Sequence, residues 1–113
     1  MKTRYLTIKG RRWYLVERSE KDEPRLKDCD GFCDWTSRTI VIERELEGNL
    51  DDMERYIAKV KRHEIVHAFL LECGLAHSSS PTEAWATNEE MVDWLAFIGP
   101  ELMTAWAQAE AER

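Results

Sequence analysis

The stretch His63-Glu64-Ile65-Val66-His67 reads H-E-x-x-H and decides how the rest of the chain is interpreted. Two histidines four residues apart lie one above the other on one face of an α-helix, close enough to bind one metal ion. The glutamate between them projects beside such an ion and can take a proton from a bound water molecule. The motif therefore predicts a metal centre on a helix, with Glu64 as a candidate general base.

The residues around the motif predict a buried helix over residues 51–73. The two histidines continue an apolar stripe that recurs at helical spacing before the motif, at Met53, Ile57 and Val60. His63 and His67 are therefore expected to point into the domain, where unpaired polar groups are costly and a metal ion would provide a partner. The candidate N-caps are Asn49 and Asp51, and Gly74 is suited to end the helix.

The amino-terminal part of the chain predicts a small sheet. Residues 4–9 and 12–18 are rich in β-branched and aromatic residues and predict a β-hairpin, whereas residues 19–30 are polar and predict a loop. Residues 31–35 and 38–43 predict two more strands around a tight turn. A mostly antiparallel sheet is therefore expected to pack on the motif helix.

Two further helices are predicted after the motif. Ser80-Pro81-Thr82-Glu83 has the composition of a capped helix start, and a helix is expected over residues 81–98. Gly99-Pro100 is expected to end it, and a final helix is expected over residues 101–112. The tryptophans of this region, Trp85, Trp94 and Trp106, are expected to pack in the core. These elements predict one α+β domain over residues 1–113.

Composition narrows the functional classes. The chain has 113 residues and a net charge of −6, which argues against nucleic acid as the main partner. No apolar run reaches the roughly 20 residues that span a bilayer, and no signal peptide is visible, so a cytoplasmic location is expected. Three cysteines without an export signal predict free thiols. Cys29 and Cys33 offer a weaker alternative, a second, structural zinc site.

A catalytic zinc ion needs a third protein ligand, and the predicted 81–98 helix offers candidates. Glu89 and Asp93 are four residues apart and therefore share one face of that helix. One carboxylate can bind the metal, while the other accepts a hydrogen bond from a ligating histidine and holds its tautomer. Glu90, beside Glu89, is the alternative ligand. Glu89 is preferred because only Glu89 pairs with Asp93 at this spacing.

H-E-x-x-H followed by N-E-x-x-x-D on a second helix resembles the gluzincin metallopeptidases. The chain length, the strands predicted before the motif helix and the sequence His63-Glu64-Ile65-Val66-His67-Ala68-Phe69 also resemble small single-domain metallopeptidase-like proteins of phages and mobile elements. Those proteins are related to the ImmA/IrrE group and the minimal gluzincins. The resemblance implies a zincin-like fold and a zinc-dependent peptidase acting on a protein or peptide. It implies His63 and His67 as zinc ligands, Glu64 as the base that activates the zinc-bound water, and Glu89 as the third ligand.

The same resemblance implies two supporting residues and leaves one role open. Asp93 would accept a hydrogen bond from His63, and Asn88 would support the other histidine. The second helical domain of larger gluzincins, which provides their transition-state-stabilising residues, has no counterpart here. His77, in the loop after the motif helix, is a candidate for that role, the alternative being a solvent-exposed histidine. The strand at 39–43 is a candidate for pairing with an extended substrate, the alternative being plain sheet core.

Two other functions are kept beside the peptidase hypothesis. The first is a non-catalytic module that binds zinc for stability and serves interaction or regulation in a phage or mobile element. The second, implied by the ImmA/IrrE resemblance, is a regulatory peptidase that acts on a repressor. The sequence does not indicate the substrate, its cleavage specificity or the oligomeric state.

Overall fold

The computed structural model describes residues 3–45, 48, 50–78 and 85–111. The predicted hairpin is confirmed: strand β1 (Thr3–Ile8) pairs antiparallel with strand β2 (Arg11–Arg18). Lys9 and Gly10 between them have φ angles of 51° and 77°. Positive φ at both central residues is the requirement of the tight turn that matches the twist of a hairpin, and glycine meets it without strain.

The sheet has four strands in the order β1-β2-β4-β3 and is mixed. Strands β3 (Gly31–Asp34) and β4 (Thr39–Glu43) are antiparallel, but β4 pairs with β2 in parallel. The predicted antiparallel character therefore holds for two of the three pairings. The segment before β3 crosses to the far side of β4, with a short 3-10 turn at Pro24–Leu26 where only a loop was predicted.

Residues 39–43 form plain sheet core, as one of the two alternatives predicted, so their candidate pairing with an extended substrate is wrong. Strand β4 lies inside the sheet and is hydrogen-bonded to β2 on one side and to β3 on the other. Its alternating side chains serve both faces of the sheet. Ile40 and Ile42 pack toward helix α1, whereas Val41 packs with Val16 and Leu26 on the opposite face. The edge strand of this half of the sheet is β3.

Helix α1 (Met53–Glu72) carries the motif across the sheet. Val60 and Ala68 face the same core cluster as Trp13. Asp52 caps the helix by accepting a hydrogen bond from the Arg55 N–H at 3.0 Å, so the prediction of Asp51 is wrong and Asn49 lies outside the described residues. Gly74 follows the last turn with a φ of 85°, which confirms its predicted role as the terminator.

The carboxyl end of α1 is tied to the sheet through Glu72. Its carboxylate accepts hydrogen bonds from the Trp13 indole at 2.8 Å and from the Arg38 guanidinium at 2.8 and 3.1 Å. Trp13 is fully buried, so this pairing satisfies an indole N–H that would otherwise be costly. These contacts fix the position of α1 on the sheet at this end of the helix. They therefore also fix the direction in which the motif side chains point.

The prediction of two carboxy-terminal helices is wrong, because helix α3 (Glu89–Ala111) runs through Pro100 without a break. A proline has no N–H, so the carbonyl four residues earlier, that of Ala96, loses its helical donor. Arg62 of α1 supplies the replacement: its Nε donates to the Ala96 oxygen at 2.6 Å. The interruption that the sequence predicted is thus compensated by a donor from another helix.

Helix α3 begins later than predicted and exposes much of its surface. Asn88 caps it, its side-chain oxygen accepting from the Met91 N–H at 2.8 Å, and a 3-10 turn at Trp85–Thr87 precedes it. The predicted start at residues 80–83 lies outside the described residues. Trp94 and Trp106 are 57% and 59% exposed, so their predicted packing in the core is wrong, whereas the side chain of Trp85 lies outside the described residues. A short helix, α2 (Leu75–Ser78), replaces part of the loop predicted after α1.

Candidate metal centre

Three side chains of α1 and α3, those of His63, His67 and Glu89, converge where the two helices meet. Glu89 Oε1 lies 2.5 Å from His67 Nε2 and 3.6 Å from His63 Nε2. Ligand atoms of these three residues all lie within 4.8 Å of one another, and the described residues contain no other such group of three or more histidine, cysteine and carboxylate side chains. The histidine side chains are 16% and 19% exposed, whereas Glu89 is 72% exposed, so the centre opens to solvent on the α3 side.

Asp93 lies beside this triad and holds one of its histidines. Its Oδ1 is 3.2 Å from His63 Nδ1, which leaves His63 Nε2 facing Glu89. Burial alone would raise the pKa of Asp93, but hydrogen bonds from His63 and Lys59 outweigh it, so the pKa is lowered. An ionised acceptor at Nδ1 keeps the proton on that nitrogen and the lone pair on Nε2.

Glu64 is buried between α1 and strand β3. It is 7% exposed, and this burial raises its pKa from the ordinary 4.5 to about 6, although the nearby His63 and a hydrogen bond from Cys33 oppose the rise. The close approach of β3 to β4 and to Glu64 depends on Gly31. A Cβ at Gly31 would lie 2.9 Å from the Val41 carbonyl oxygen and 3.3 Å from Glu64 Cγ. The Cys33 thiol donates a hydrogen bond to the Glu64 backbone carbonyl at 3.0 Å, which also joins β3 to α1.

The raised pKa of Glu64 predicts a pH-dependent loss of stability in the metal-free protein. A pKa of about 6 in the folded chain, against 4.5, means that the contribution of Glu64 is complete below pH 4.5 and is lost as the pH rises through 6. The loss corresponds to about 2 kcal/mol. Urea unfolding of chelator-treated protein at pH 4.5 and pH 7.5 measures it, with Glu64→Gln as the comparison. The variant is expected to gain about 2 kcal/mol relative to wild type over this interval, and an equal pH response of both proteins would contradict the prediction.

A cleft with two lobes runs past the triad along β3. One lobe, a cavity of about 190 Å³, has a mixed polar and apolar lining and includes Asp30, Tyr56 and Lys59 in its wall. The other, of about 330 Å³, is more apolar and includes Phe32 and Leu71. Both lobes share the following residues: Cys29, Gly31, Glu64 and Glu89. The cleft therefore extends to both sides of Glu64, with the edge strand as one wall.

Three other residues were predicted for the site, namely Glu90, Asn88 and His77. Glu90 is exposed and lines a hollow with Met91 and Trp94, apart from the triad. Asn88 uses its side-chain oxygen to cap α3, and its predicted support of a histidine stays a prediction. The backbone of His77 belongs to α2, but its side chain falls outside the described part of the chain, so its predicted role is untested.

The cysteines are free thiols in the structure, which agrees with the prediction from composition. Burial strongly raises the pKa of Cys33. A raised thiol pKa disfavours the thiolate form that binds zinc. Among the described residues, Cys29 and Cys33 do not join a cluster of potential metal ligands. The alternative of a second zinc site therefore receives no support.

Sequence reasoning missed several residues of this centre, namely Asp30, Gly31, Cys33 and Lys59. The first three lie on or beside an edge strand whose position depends on the parallel pairing of β2 with β4. Lys59 had a readable signal, because it precedes His63 by four residues and therefore shares its helix face.

Comparison with known proteins adds no assignment: no family model, no curated protein and no solved structure matches the chain. None of the helices in the described residues combines the length and the apolar character needed to cross a bilayer. The geometry of the centre itself is therefore what indicates a function.

Proposed function

We propose that this chain is a zinc-dependent metallopeptidase of the gluzincin kind. The observation that carries the proposal is the convergence of His63, His67 and Glu89 beside the buried carboxyl of Glu64. Two imidazoles and one carboxylate are a ligand set of catalytic zinc sites, which keep a further position open for water or substrate. The 72% exposure of the Glu89 side chain is consistent with such an open position.

The donor set fits zinc in its chemistry, and its ligand atoms lie within 4.8 Å of one another. Zinc–ligand bonds of about 2.0–2.1 Å separate neighbouring ligand atoms in a tetrahedron by roughly 3.4 Å. The separations of Glu89 Oε1 from the two histidine nitrogens are 2.5 and 3.6 Å, one shorter and one longer than that value, and the shorter one is a hydrogen-bond distance. Burial lowers the pKa of His67, which favours the neutral imidazole that binds metals. When bound, zinc would supply Lewis acidity toward water and toward the carbonyl of the scissile bond.

The protein residues then have separate roles. Glu64 takes a proton from the attacking water and gives it to the leaving amine, and its buried carboxyl lies beside the triad in the wall of the cleft. Asp93 holds the His63 ring in the tautomer that presents Nε2. An extended peptide is proposed to lie along β3, with side chains in the two lobes of the cleft.

The test is whether the protein cleaves peptides and whether that activity depends reversibly on the metal. Purified protein loaded with zinc is expected to bind one ion per chain and to cleave an unfolded protein or a mixed peptide library. A zinc chelator is expected to stop the cleavage, and added zinc to restore it. Failure to bind zinc would overturn the whole proposal, whereas zinc binding without cleavage of any library member would overturn the peptidase part alone.

A non-catalytic zinc module is the second candidate, and one observation favours it. Helix α3 packs on α1 and the adjacent 3-10 turn, and its second half is largely exposed. A metal ion held by α1 and α3 together would fasten this helix to the domain. Such a role requires His63, His67 and Glu89, but it gives no function to a proton-accepting carboxyl at Glu64. The Glu64→Gln variant therefore separates the two candidates.

A further inference from the structure

Lys59 lies against the metal centre although it belongs to no recognised motif. It precedes His63 by one helical turn on α1. Its Nζ is 3.3 Å from Asp93 Oδ1 and 3.4 Å from Asp93 Oδ2. The same Asp93 Oδ1 lies 3.2 Å from His63 Nδ1. One carboxylate of α3 is thus shared by two consecutive turns of α1.

The surroundings of Lys59 restrict where its ammonium group can go. The side chain is 27% exposed, and Nζ lies 5.5 Å from the centre of the Tyr56 ring. The Tyr56 hydroxyl in turn donates to Asp30, at the start of β3. The ammonium group is therefore placed between an aromatic ring and a carboxylate, with its stem on the helix, rather than extended into solvent.

Asp93 needs such an anchor. Its side chain is 47% exposed, so a carboxylate held by His63 alone would exchange that hydrogen bond with water. A second donor that reaches both carboxylate oxygens restricts its rotation. A fixed acceptor at His63 Nδ1 keeps the proton on that nitrogen and leaves the Nε2 lone pair directed toward Glu89.

We infer that Lys59 is a positioning residue of the metal centre, which anchors Asp93 and through it selects the ligating tautomer of His63. This inference rests on the metal-binding part of the proposed function, not on the peptidase part. It predicts that removal of Lys59 weakens zinc binding, whereas simple electrostatics predicts the opposite change. A cation near a dication repels it, so a lysine with no positioning role would weaken zinc binding, and its removal would tighten it.

The experiment is a zinc affinity measurement by competition with a chromophoric chelator. Lys59→Met is expected to bind zinc about 10-fold more weakly than wild type, at the lower end of the effect of removing an outer partner of a ligand. Lys59→Arg, which keeps a donor to the carboxylate, is expected to recover most of that loss. Lys61→Met is the matched control, because Lys61 lies on the same helix but pairs with Glu17 at 4.0 Å, and it is expected to bind like wild type.

Two further measurements address the route of the effect. In an Asp93→Asn background, Lys59→Met is expected to have little additional effect, since the anchored group is gone. In the metal-free protein at pH 8, ¹⁵N chemical shifts of the His63 ring are expected to show one Nδ1–H tautomer in wild type and a mixture in Lys59→Met. If Lys59→Met does not fold, Lys59→Ala, which also removes the donor to Asp93, takes its place in both measurements.

The outcomes separate this inference from the proposed function. Equal or tighter zinc binding by Lys59→Met, or full additivity with Asp93→Asn, overturns the positioning role while leaving the metal site intact. A wild-type protein that binds no zinc overturns the proposed function. The tautomer measurement then still decides the positioning of His63, and an unchanged tautomer in Lys59→Met overturns it.

Discussion

Replacing Glu64 with glutamine is expected to abolish peptide cleavage while leaving zinc bound. Glutamine keeps the size of the side chain but cannot accept the proton of the attacking water, and a general base contributes about 10²–10⁴-fold to such reactions. Glu64 does not belong to the triad of His63, His67 and Glu89, so zinc affinity is expected to stay within about threefold of wild type, less than the effect of losing an outer partner of a ligand. Cleavage rates at saturating substrate and zinc titrations of the same preparations measure both quantities.

The stability of the variant makes this result interpretable. Because burial raises the pKa of Glu64, the metal-free variant is expected to be the more stable protein at neutral pH, so lost cleavage would not reflect unfolding. Glu90→Gln is the matched control, since it makes the same chemical change at an exposed position of α3 and is expected to cleave like wild type. Cleavage by Glu64→Gln at the wild-type rate would exclude Glu64 as the base and with it the proposed mechanism.

Replacing Glu89 with alanine is expected to cost more than 100-fold in zinc affinity. Glu89 provides the only carboxylate oxygen of the triad, 2.5 Å from His67 and 3.6 Å from His63. Removal of a ligand is expected to exceed the 10–100-fold effect of removing an outer partner. Glu90→Ala is expected to bind zinc like wild type, because Glu90 lines a separate hollow with Met91 and Trp94. Competition titrations on both variants give the comparison directly.

The pair of variants also tests the choice that the sequence left open. Loss of zinc in Glu90→Ala with retention in Glu89→Ala would reverse the assignment and require α3 to turn about its axis relative to α1. Circular dichroism and thermal unfolding of the metal-free proteins serve as the control. Both residues are exposed in the first turn of α3, so similar metal-free stabilities are expected.

Much of the candidate centre could be predicted from local patterns. The spacing of His63 and His67 requires only that residues 63–67 be helical, and the apolar residues around them favour a buried helix. Glu89 and Asp93 share a helix face for the same reason. The hairpin and the end of α1 at Gly74 were equally predictable, because local backbone geometry decides them.

The tertiary structure decided what depends on partners distant in sequence. A mixed sheet was not predictable, since strand pairing reflects the path of residues 19–30 rather than the composition of β4. The continuity of α3 through Pro100 depends on Arg62, a donor from another helix.

The meeting of α1 with α3 also gives Lys59 its contact with Asp93. Helical periodicity thus determined that His63 and His67 share one face of α1 and that Glu89 and Asp93 share one face of α3. Packing of α3 on α1 decided that those faces meet, and packing of α1 on the sheet decided that Glu64 is buried against β3, because such contacts join residues far apart in the chain.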